Sequence, residues 1–225
     1  MIVAIDGPAG AGKSSVARRL EHRLGFQFLD TGAMYRAVAL TALRHGFGDQ
    51  HPRQIAELAR QTSLVFLNER VILDGYDVTA QIRTSEVSNA VYLAADNFAV
   101  RERMVEMQRD FAVNQDTVTE GRDQATVAFP DAECKIFLTA TAEERARRRH
   151  AELSNRGEQV SFDDVLAQQN ERDYRDSTRA VGAMRVAEEA IVVYSDGLTY
   201  EQVVDQLEQI VRQRQHELEL TGSPR

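Results

Sequence analysis

Residues 7–14 combine flexible glycines with one lysine and one hydroxyl side chain at fixed spacing. They read GPAGAGKS and fill every fixed position of the pattern G-x-x-x-x-G-K-[ST]. Glycines let successive backbone N–H groups turn inward at the start of a helix, where they can surround phosphate groups. The pattern therefore predicts a nucleoside triphosphate site, with Lys13 on the β and γ phosphates and the Ser14 hydroxyl on Mg²⁺.

The residues on either side of this loop predict the strand and the helix that must present it. Residues 1–5 (MIVAI) are a short apolar run typical of a buried strand, and Val16, Ala17, Leu20 and Leu24 follow at helical spacing. The residues expected at the triphosphate are Gly7, Pro8, Ala9, Gly10, Ala11, Gly12, Lys13, Ser14 and Ser15.

The composition is that of a globular protein with an acidic surface. The 225 residues carry a net charge of -8, and 43% of them are hydrophobic. The acidic balance argues against nucleic acid as a partner, because binding to nucleic acid needs clustered basic residues. The sequence also contains no apolar run as long as a membrane span. We therefore expect neither nucleic acid nor membrane as a partner.

Cysteine use and the start of the sequence bear on the compartment. Cys134 is the only cysteine, which excludes an intrachain disulfide and fits a reducing environment. The first residues read directly as a strand, so we expect no signal peptide. We predict a cytoplasmic protein, and a monomer.

Strand and helix patterns alternate along the chain. Apolar strand segments fall within 25–32, 117–123, 135–140 and 190–194, and helical spacing is found at 34–43, 52–61, 84–114 and 161–179. With the phosphate loop after the first strand, this alternation predicts an α/β fold, a three-layer arrangement of a parallel sheet flanked by helices. The active site is expected at the carboxyl ends of the strands.

Local signals refine this outline. Two β-branched runs within 63–79, separated by residues 68–70, predict a hairpin-like insert. Thr141 with Glu144, and Thr199 with Gln202, have the spacing of helix capping boxes.

Arginines and acids toward the end of the chain are candidates for binding phosphate. Lys13 and Lys135 are the only lysines among 27 basic residues, so the chain otherwise uses arginine for positive charge. Arg172, Asp176 and Arg179 are spaced to lie on one face of a helix. By themselves they fit a salt-bridged surface better than a phosphate site. A kinase needs such arginines, because it must hold two anions side by side.

Seven motifs occur in the order found in bacterial cytidylate kinases, and from Ile2 to about Val181 the chain resembles that family. The motifs are IDGPAGAGKSS (5–15), LDTGAMYRAVAL (29–40), DVTAQIRTSEVSNA (77–90), EGRD (120–123), TVAFPDA (126–132), KIFLTATAEERARRR (135–149) and ERDYRDSTRAV (171–181). The resemblance implies one P-loop kinase domain with a small antiparallel insert that binds the nucleoside monophosphate and an arginine-rich lid. The corresponding ranges are a core of 1–62, 115–148 and 180–215, an insert at about 63–114, a lid at about 149–179 and a frayed tail at 216–225.

The resemblance further implies transfer of a phosphoryl group from ATP, with Mg²⁺, to CMP or dCMP. It assigns the acceptor to Thr31, Arg36, Arg101, Arg122, Asp123, Arg172, Asp176 and Arg179. Within that set Arg36, Arg122 and Arg179 would contact phosphate, Arg101 and Asp123 the cytosine, and Arg172 and Asp176 the ribose. The catalytic set is Lys13, Arg122, Arg148 and Arg179, with Arg148 reaching the donor phosphates from the lid. Glu120 would support Mg²⁺ through water, or would instead pair with a neighbouring arginine.

Three places depart from the family pattern. Tyr92 stands where a small hydroxyl residue is usual, so its hydroxyl either contacts the base or its ring belongs to the core. Ala125 replaces a glycine after GRD, and Glu189 and Tyr194 replace two aspartates.

These departures leave two other interpretations open. In the first, the acceptor is UMP or a non-nucleotide alcohol such as shikimate. In the second, the protein binds nucleotides without turnover and serves a regulatory role.

Overall fold

A computed structural model describes residues 1–67 and 70–221. In chain order the strands are β1 (Ile2–Asp6), β2 (Gln27–Asp30), β3 (Leu64–Leu67), β4 (Arg70–Leu73), β5 (Tyr76–Asp77), β6 (Thr117–Glu120), β7 (Cys134–Thr139) and β8 (Ile191–Tyr194). The helices are α1 (Lys13–Leu24), α2 (Thr31–Arg44), α3 (Pro52–Gln61), α4 (Ser85–Ala90), α5 (Tyr92–Ala95), α6 (Phe98–Ala112), α7 (Ala142–Asn155), α8 (Phe162–Thr178) and α9 (Tyr200–Thr221). A 3₁₀ turn covers Gln81–Arg83, and a π-helical turn covers Gln124–Ala128. The predicted alternation of strands and helices is confirmed.

The chain divides into two compact units, of which the first comprises Met1–Leu29 and Ala112–Arg225. Its sheet has the strand order β2-β6-β1-β7-β8. Strand β1 pairs in parallel with β6 and β7, and β7 pairs in parallel with β8. This arrangement places the carboxyl ends of β1, β6 and β7 at one edge, where the loops that follow them lie close together.

The apolar core of this unit lies between one face of the sheet and helices α1 and α9. Val3 and Ile5 of β1 and Ile136 of β7 are fully buried. They belong to one apolar cluster with Leu20 of α1 and Leu207 of α9. Helical spacing in α1 and α9 supplies the apolar stripe that each helix turns toward the sheet. In β1 the alternate residue Ala4 is fully buried as well, which explains why this strand reads as a continuous apolar run.

Capping explains where three helices of this unit begin. The Thr199 hydroxyl accepts from the backbone N–H of Gln202, and Oε1 of Gln202 accepts from the backbone N–H of Thr199. This capping box is therefore confirmed. Ser161 caps α8 by accepting from Asp164. Thr141 accepts from the N–H of Glu144, but its own N–H donates to Asp196, so the second predicted box is only half formed.

The C-terminal helix continues further than the sequence predicts. Helix α9 runs to Thr221, although the frayed tail is predicted to begin at 216. Arg214 donates to the carbonyl oxygen of Glu133 at 2.8 Å, which ties this part of the helix to the sheet. Residues 222–225 of the predicted tail lie outside the described residues.

The second compact unit spans Asp30–Phe111. It contains an antiparallel sheet of order β3-β4-β5 and helices α2 to α5, with most of α6. A small apolar core includes Leu40 of α2, Leu73 of β4 and Val87 of α4. The predicted hairpin is confirmed as β3 and β4, although its turn at residues 68–69 lies outside the described residues. The ranges predicted for the insert (63–114) and the lid (149–179) stay predictions.

The helices within residues 1–67 and 70–221 are each too short or too polar to cross a bilayer.

The backbone at Gly7, directly after β1, lies close to the neighbouring strand β7. A Cβ atom at this position would lie 2.0 Å from the carbonyl oxygen of Leu138 in β7, and its φ is 144°. We expect Gly7→Ala to lower the free energy of unfolding by about 3 kcal/mol or more, because backbone atoms must move apart. Urea unfolding of the variant measures this loss.

Gly12→Ala is the matched control for that substitution. Gly12 has a φ of 91°, but a Cβ atom there would meet nothing within 4 Å. The expected loss is only the backbone strain, about 1 kcal/mol. Equal losses at the two glycines would contradict a role for the contact with Leu138.

Candidate active site

The phosphate loop lies where the sequence predicts it, between β1 and α1. Strand β1 ends at Asp6, and α1 begins at Lys13 after Gly12 in a left-handed conformation. Gly10 also has a positive φ, 78°. All three glycines of the loop, including Gly7, therefore have positive φ angles that glycine tolerates best.

Lys13 is the charged group at the centre of the loop. Its side chain is buried, and its ammonium donates to the carbonyl oxygen of Pro8 at 2.8 Å. Burial first, and then the positive charge of Arg122, lower the pKa of Lys13 to about 7, although Glu120 and Asp6 oppose the shift. A polyphosphate in the loop would favour the charged ammonium and restore the pKa.

Ser14 and Glu120 supply two oxygen ligands next to each other. The Ser14 hydroxyl donates to Oε1 of Glu120 at 2.9 Å, and Glu120 is the buried last residue of β6. Hydroxyl and carboxylate oxygens fit Mg²⁺, which binds through few protein ligands together with phosphates and water. Within the described residues, no three His, Cys, Asp or Glu side chains group into a metal site.

Asp6 is a buried carboxylate that the sequence analysis did not select. Its two oxygens accept the backbone N–H groups of Gln124 and Ala125, each at 2.8 Å. Burial raises the pKa of Asp6 to about 6, and these two hydrogen bonds limit the rise. Asp6 thus joins the phosphate loop to the turn that follows Arg122 and Asp123. The sequence signal that could have identified Asp6 is an acidic residue at the end of the otherwise apolar strand β1.

Ala125 is accommodated without strain. It lies in the π-helical turn Gln124–Ala128 and is not among the residues with positive φ. The glycine usual in the family is therefore not needed for backbone freedom at this position.

Asp176 of α8 joins two arginines of the predicted acceptor set. Its Oδ2 accepts from Nε of Arg122 at 2.9 Å, and its Oδ1 accepts from Nη2 of Arg179 at 2.7 Å. Although burial opposes ionisation, the charges of Arg122, Arg172 and Arg179 hold the pKa of Asp176 below its usual value. The structure brings Arg122, Asp176 and Arg179 together as one cluster.

Arg179 reaches this cluster by a different path from the predicted one. Helix α8 ends at Thr178, and Arg179 has the extended backbone angles φ −54° and ψ 138°. The prediction that Arg172, Asp176 and Arg179 share a helical face is therefore wrong for Arg179. Its side chain is only 6% exposed, and the buried ion pair with Asp176 keeps it in place without helical spacing.

Arg148 of α7 is held away from the loop by hydrogen bonds. Its Nε donates to Glu144 at 3.0 Å, and its two Nη atoms donate to the hydroxyl and the carbonyl oxygen of Ser195. The arginine of α7 that contacts the phosphate loop is Arg145, whose Nη1 donates to the carbonyl oxygen of Ala9 at 2.9 Å. The sequence analysis missed Arg145, because four arginines lie within 145–149 and spacing alone does not rank them.

The second compact unit contains three residues of the predicted acceptor set, Thr31, Arg36 and Arg101. Arg36 donates to the Ser88 hydroxyl at 2.6 Å, and Thr31 is buried at the start of α2. Arg101 is 3% exposed, and its Nη1 donates to the carbonyl oxygen of Ala95 at 3.1 Å.

Tyr92, the first departure from the family pattern, belongs to this unit as well. Its hydroxyl donates to Oδ2 of Asp49 at 3.4 Å. The hydroxyl therefore has a protein acceptor, and the side chain is half-buried.

Sequence comparison relates the whole chain to one family. The family described as cytidylate kinase matches residues 3–213. A cytidylate kinase from Rhodopirellula baltica is 47% identical over 213 residues, which cover 95% of this chain and 93% of the relative. One from Pelotomaculum thermopropionicum is 51% identical over 207 residues, which cover 90% and 92%.

Structural comparison supports the fold. A solved shikimate kinase from Bacteroides thetaiotaomicron aligns with a TM-score of 0.50 at 13% identity, and the alignment covers 94% of this chain and 98% of that one. At this identity the likeness concerns the fold alone. The predicted three-layer α/β arrangement with a parallel sheet and a small antiparallel sheet is confirmed.

The low pKa of Lys13 predicts proton uptake when the loop binds a nucleoside triphosphate. At pH 7.5 an ammonium with a pKa of about 7 is mostly deprotonated, and the phosphates favour the charged form, so binding should take up most of one proton. Titration calorimetry in buffers of different ionisation enthalpy measures this uptake.

Lys13→Arg is the control for that experiment. A guanidinium stays protonated throughout, so the part of the uptake that belongs to Lys13 should disappear. Equal proton uptake by the two proteins would show that Lys13 is already charged before the nucleotide binds.

Proposed function

Since the chain belongs to the cytidylate kinase family, we propose that it transfers the γ-phosphoryl group of Mg-ATP to CMP or dCMP, giving ADP with CDP or dCDP. One observation carries the proposal at the level of the site. The positive charges of Arg122 and Arg172 lower the pKa of the buried Lys13 ammonium. The phosphate loop and the arginine cluster therefore interact electrostatically. A kinase needs this arrangement, because donor and acceptor phosphates must approach each other despite their like charge.

On the donor side, Lys13 and the loop N–H groups would bind the β and γ phosphates. Ser14 would hold Mg²⁺ directly and Glu120 through water, and the cation would neutralise charge on the phosphate oxygens when bound. The hydrogen bond between Ser14 and Glu120 supports this assignment, because it keeps both oxygens at the mouth of the loop.

On the acceptor side, the arginines would orient the CMP phosphate. Arg36, Arg122 and Arg179 are proposed for its phosphate, Arg101 and Asp123 for cytosine, and Arg172 and Asp176 for the ribose, with Thr31 nearby. The pairing of Asp176 with Arg122 and Arg179 supports these roles, because it holds both guanidinium groups in place before the substrate binds.

The chemistry needs no covalent intermediate. An oxygen of the CMP phosphate attacks the γ phosphorus in line, and the bond from that phosphorus to the bridging oxygen of ADP breaks. Lys13 would stabilise charge on the leaving oxygens, while Arg122 and Arg179 would do so on the acceptor side. Closure of the lid would exclude water, which otherwise competes as acceptor.

Location and assembly belong to the same proposal. A reducing cytoplasm suits Cys134, whose thiol is free and buried. We keep the prediction of a monomer, which gel filtration with light scattering would test.

An ADP-release assay tests the acceptor. With Mg-ATP, turnover with CMP or dCMP should exceed the ATP-only rate and the rates with UMP, AMP and shikimate. Lys13→Ala should lower kcat by about 10²-fold or more, because the leaving phosphates lose their ammonium.

The other outcomes of that assay identify the competing interpretations. Faster turnover with UMP or shikimate would assign a different acceptor. CMP binding in calorimetry without any turnover would instead indicate a protein that binds nucleotides in a regulatory role.

Arg148→Ala tests the proposed donor-side role of this residue. Arg148 would have to exchange its bonds to Glu144 and Ser195 for the donor phosphates, and its loss should lower kcat about 10²-fold with little change in CMP affinity. Steady-state kinetics with calorimetry separates the two effects.

Arg147→Ala on the same helix is the matched control. Arg147 is 68% exposed and pairs with Glu144 as well, so kcat should stay within about twofold. If Arg148→Ala also leaves kcat unchanged, the role assigned to Arg148 is wrong.

A further inference from the structure

The guanidinium of Arg145 connects both loops at the carboxyl ends of β1 and β7. Its Nη1 donates to the carbonyl oxygen of Ala9 in the phosphate loop at 2.9 Å. Its Nε donates to the carbonyl oxygen of Ala140, just after β7, at 3.0 Å. The residue is only 6% exposed, so both bonds are shielded from water.

The contact with Ala9 sets the direction of a neighbouring donor. A trans peptide unit points its carbonyl and its N–H in opposite directions. When Ala9 turns its carbonyl oxygen toward Arg145, the N–H of Gly10 must point away from Arg145. That is the orientation that a donor inside the phosphate loop requires.

Helix α8 holds Arg145 in this position. Nη1 of Arg145 lies 2.6 Å from Oδ2 of Asp173, and the two side chains are 7% and 17% exposed. The other oxygen of Asp173, Oδ1, is buried without a hydrogen-bond partner among the described residues. Arg145 is therefore the direct ionic partner of a carboxylate that is largely removed from water.

The backbone of the loop also packs directly against these two helices. A Cβ atom at Gly10 would lie 3.1 Å from Cβ of Arg145 and 3.1 Å from Oε1 of Gln169 in α8. Gln169 is itself buried, and it donates to the carbonyl oxygen of Ala142 at 3.1 Å. The outer surface of the loop thus has two fixed neighbours.

We propose that Arg145 is a positioning residue, which takes its place from Asp173 in α8 and orients the Ala9–Gly10 peptide so that the N–H of Gly10 faces the donor phosphates. The inference rests on the proposed function only in taking a nucleoside triphosphate as the ligand of the loop. Arginine suits this role, because a guanidinium donates from several nitrogens in fixed directions, whereas lysine has one.

The test measures affinity for a non-hydrolysable ATP analogue with Mg²⁺, in the absence of CMP. Arg145→Lys should weaken the analogue about tenfold, because a charged hydrogen bond that orients the donor is lost. In steady state the KM for ATP should rise by a similar factor, while the KM for CMP at saturating ATP stays within about twofold. Arg149→Lys, in an exposed pair with Glu152 on the same helix, should leave both KM values unchanged.

The role of Asp173 is tested by a double-mutant cycle. Asp173→Asn should also weaken the analogue, and the double variant should bind it no more weakly than Arg145→Lys alone, since both changes act through one contact. Additive losses would overturn the connection to α8. If Arg145→Lys fails to fold, Asp173→Asn alone still decides, because unchanged affinity in that variant also overturns the proposal.

A purely structural role for Arg145 gives a different result. In that case Arg145→Lys would lower the melting temperature, while the folded protein would bind the analogue with unchanged affinity. This outcome would overturn the proposal. Failure of the proposed function would instead appear as wild-type protein that binds the analogue and does not turn over CMP.

Discussion

The ammonium group of Lys13 lies buried in the phosphate loop. Neighbouring side chains must therefore balance its positive charge before a ligand binds. Glu120 and Asp6 favour the charged form, whereas burial and the charges of Arg122 and Arg172 oppose it. Burial and the two arginines outweigh the two carboxylates, so the pKa of Lys13 falls to about 7. A polyphosphate supplies the missing negative charge. The buried positive charge of Lys13 therefore explains two properties of the loop, its affinity for phosphate and its unfavourable electrostatics without phosphate.

Three largely buried arginines of the first compact unit lie in ion pairs that solve the same problem. Arg122 and Arg179 share Asp176, and Arg145 pairs with Asp173. Buried ion pairs add little net stability, because desolvation offsets their attraction, but they hold side chains in defined places. Helix α8 packs on α7 through a small apolar cluster that includes Leu153 and Val165, and the ion pairs fix the positions of the charged side chains beside it.

Residues that act through the backbone are the ones that sequence reasoning overlooked. Asp6 accepts two N–H groups of the turn after Asp123, and Arg145 donates to two loop carbonyl oxygens. Neither role requires a motif, because any segment brought close enough provides backbone partners. Thr141 shows the converse. It matches a capping box in sequence, yet Asp196, distant in the chain, takes the place of Glu144 as acceptor.

The sequence by itself determined the alternation of strands and helices, the phosphate loop and the family, because periodicity, glycine placement and motif order are properties of neighbouring residues. It also located the arginines that belong to the cluster around Asp176. Only the tertiary structure decided which arginine of α7 contacts the loop, that Arg179 lies beyond the end of α8, and that α9 continues to Thr221. Those outcomes depend on which residues, distant in sequence, come into contact in the protein interior. Buried charges and backbone donors need partners there, and local spacing does not specify which partners they find.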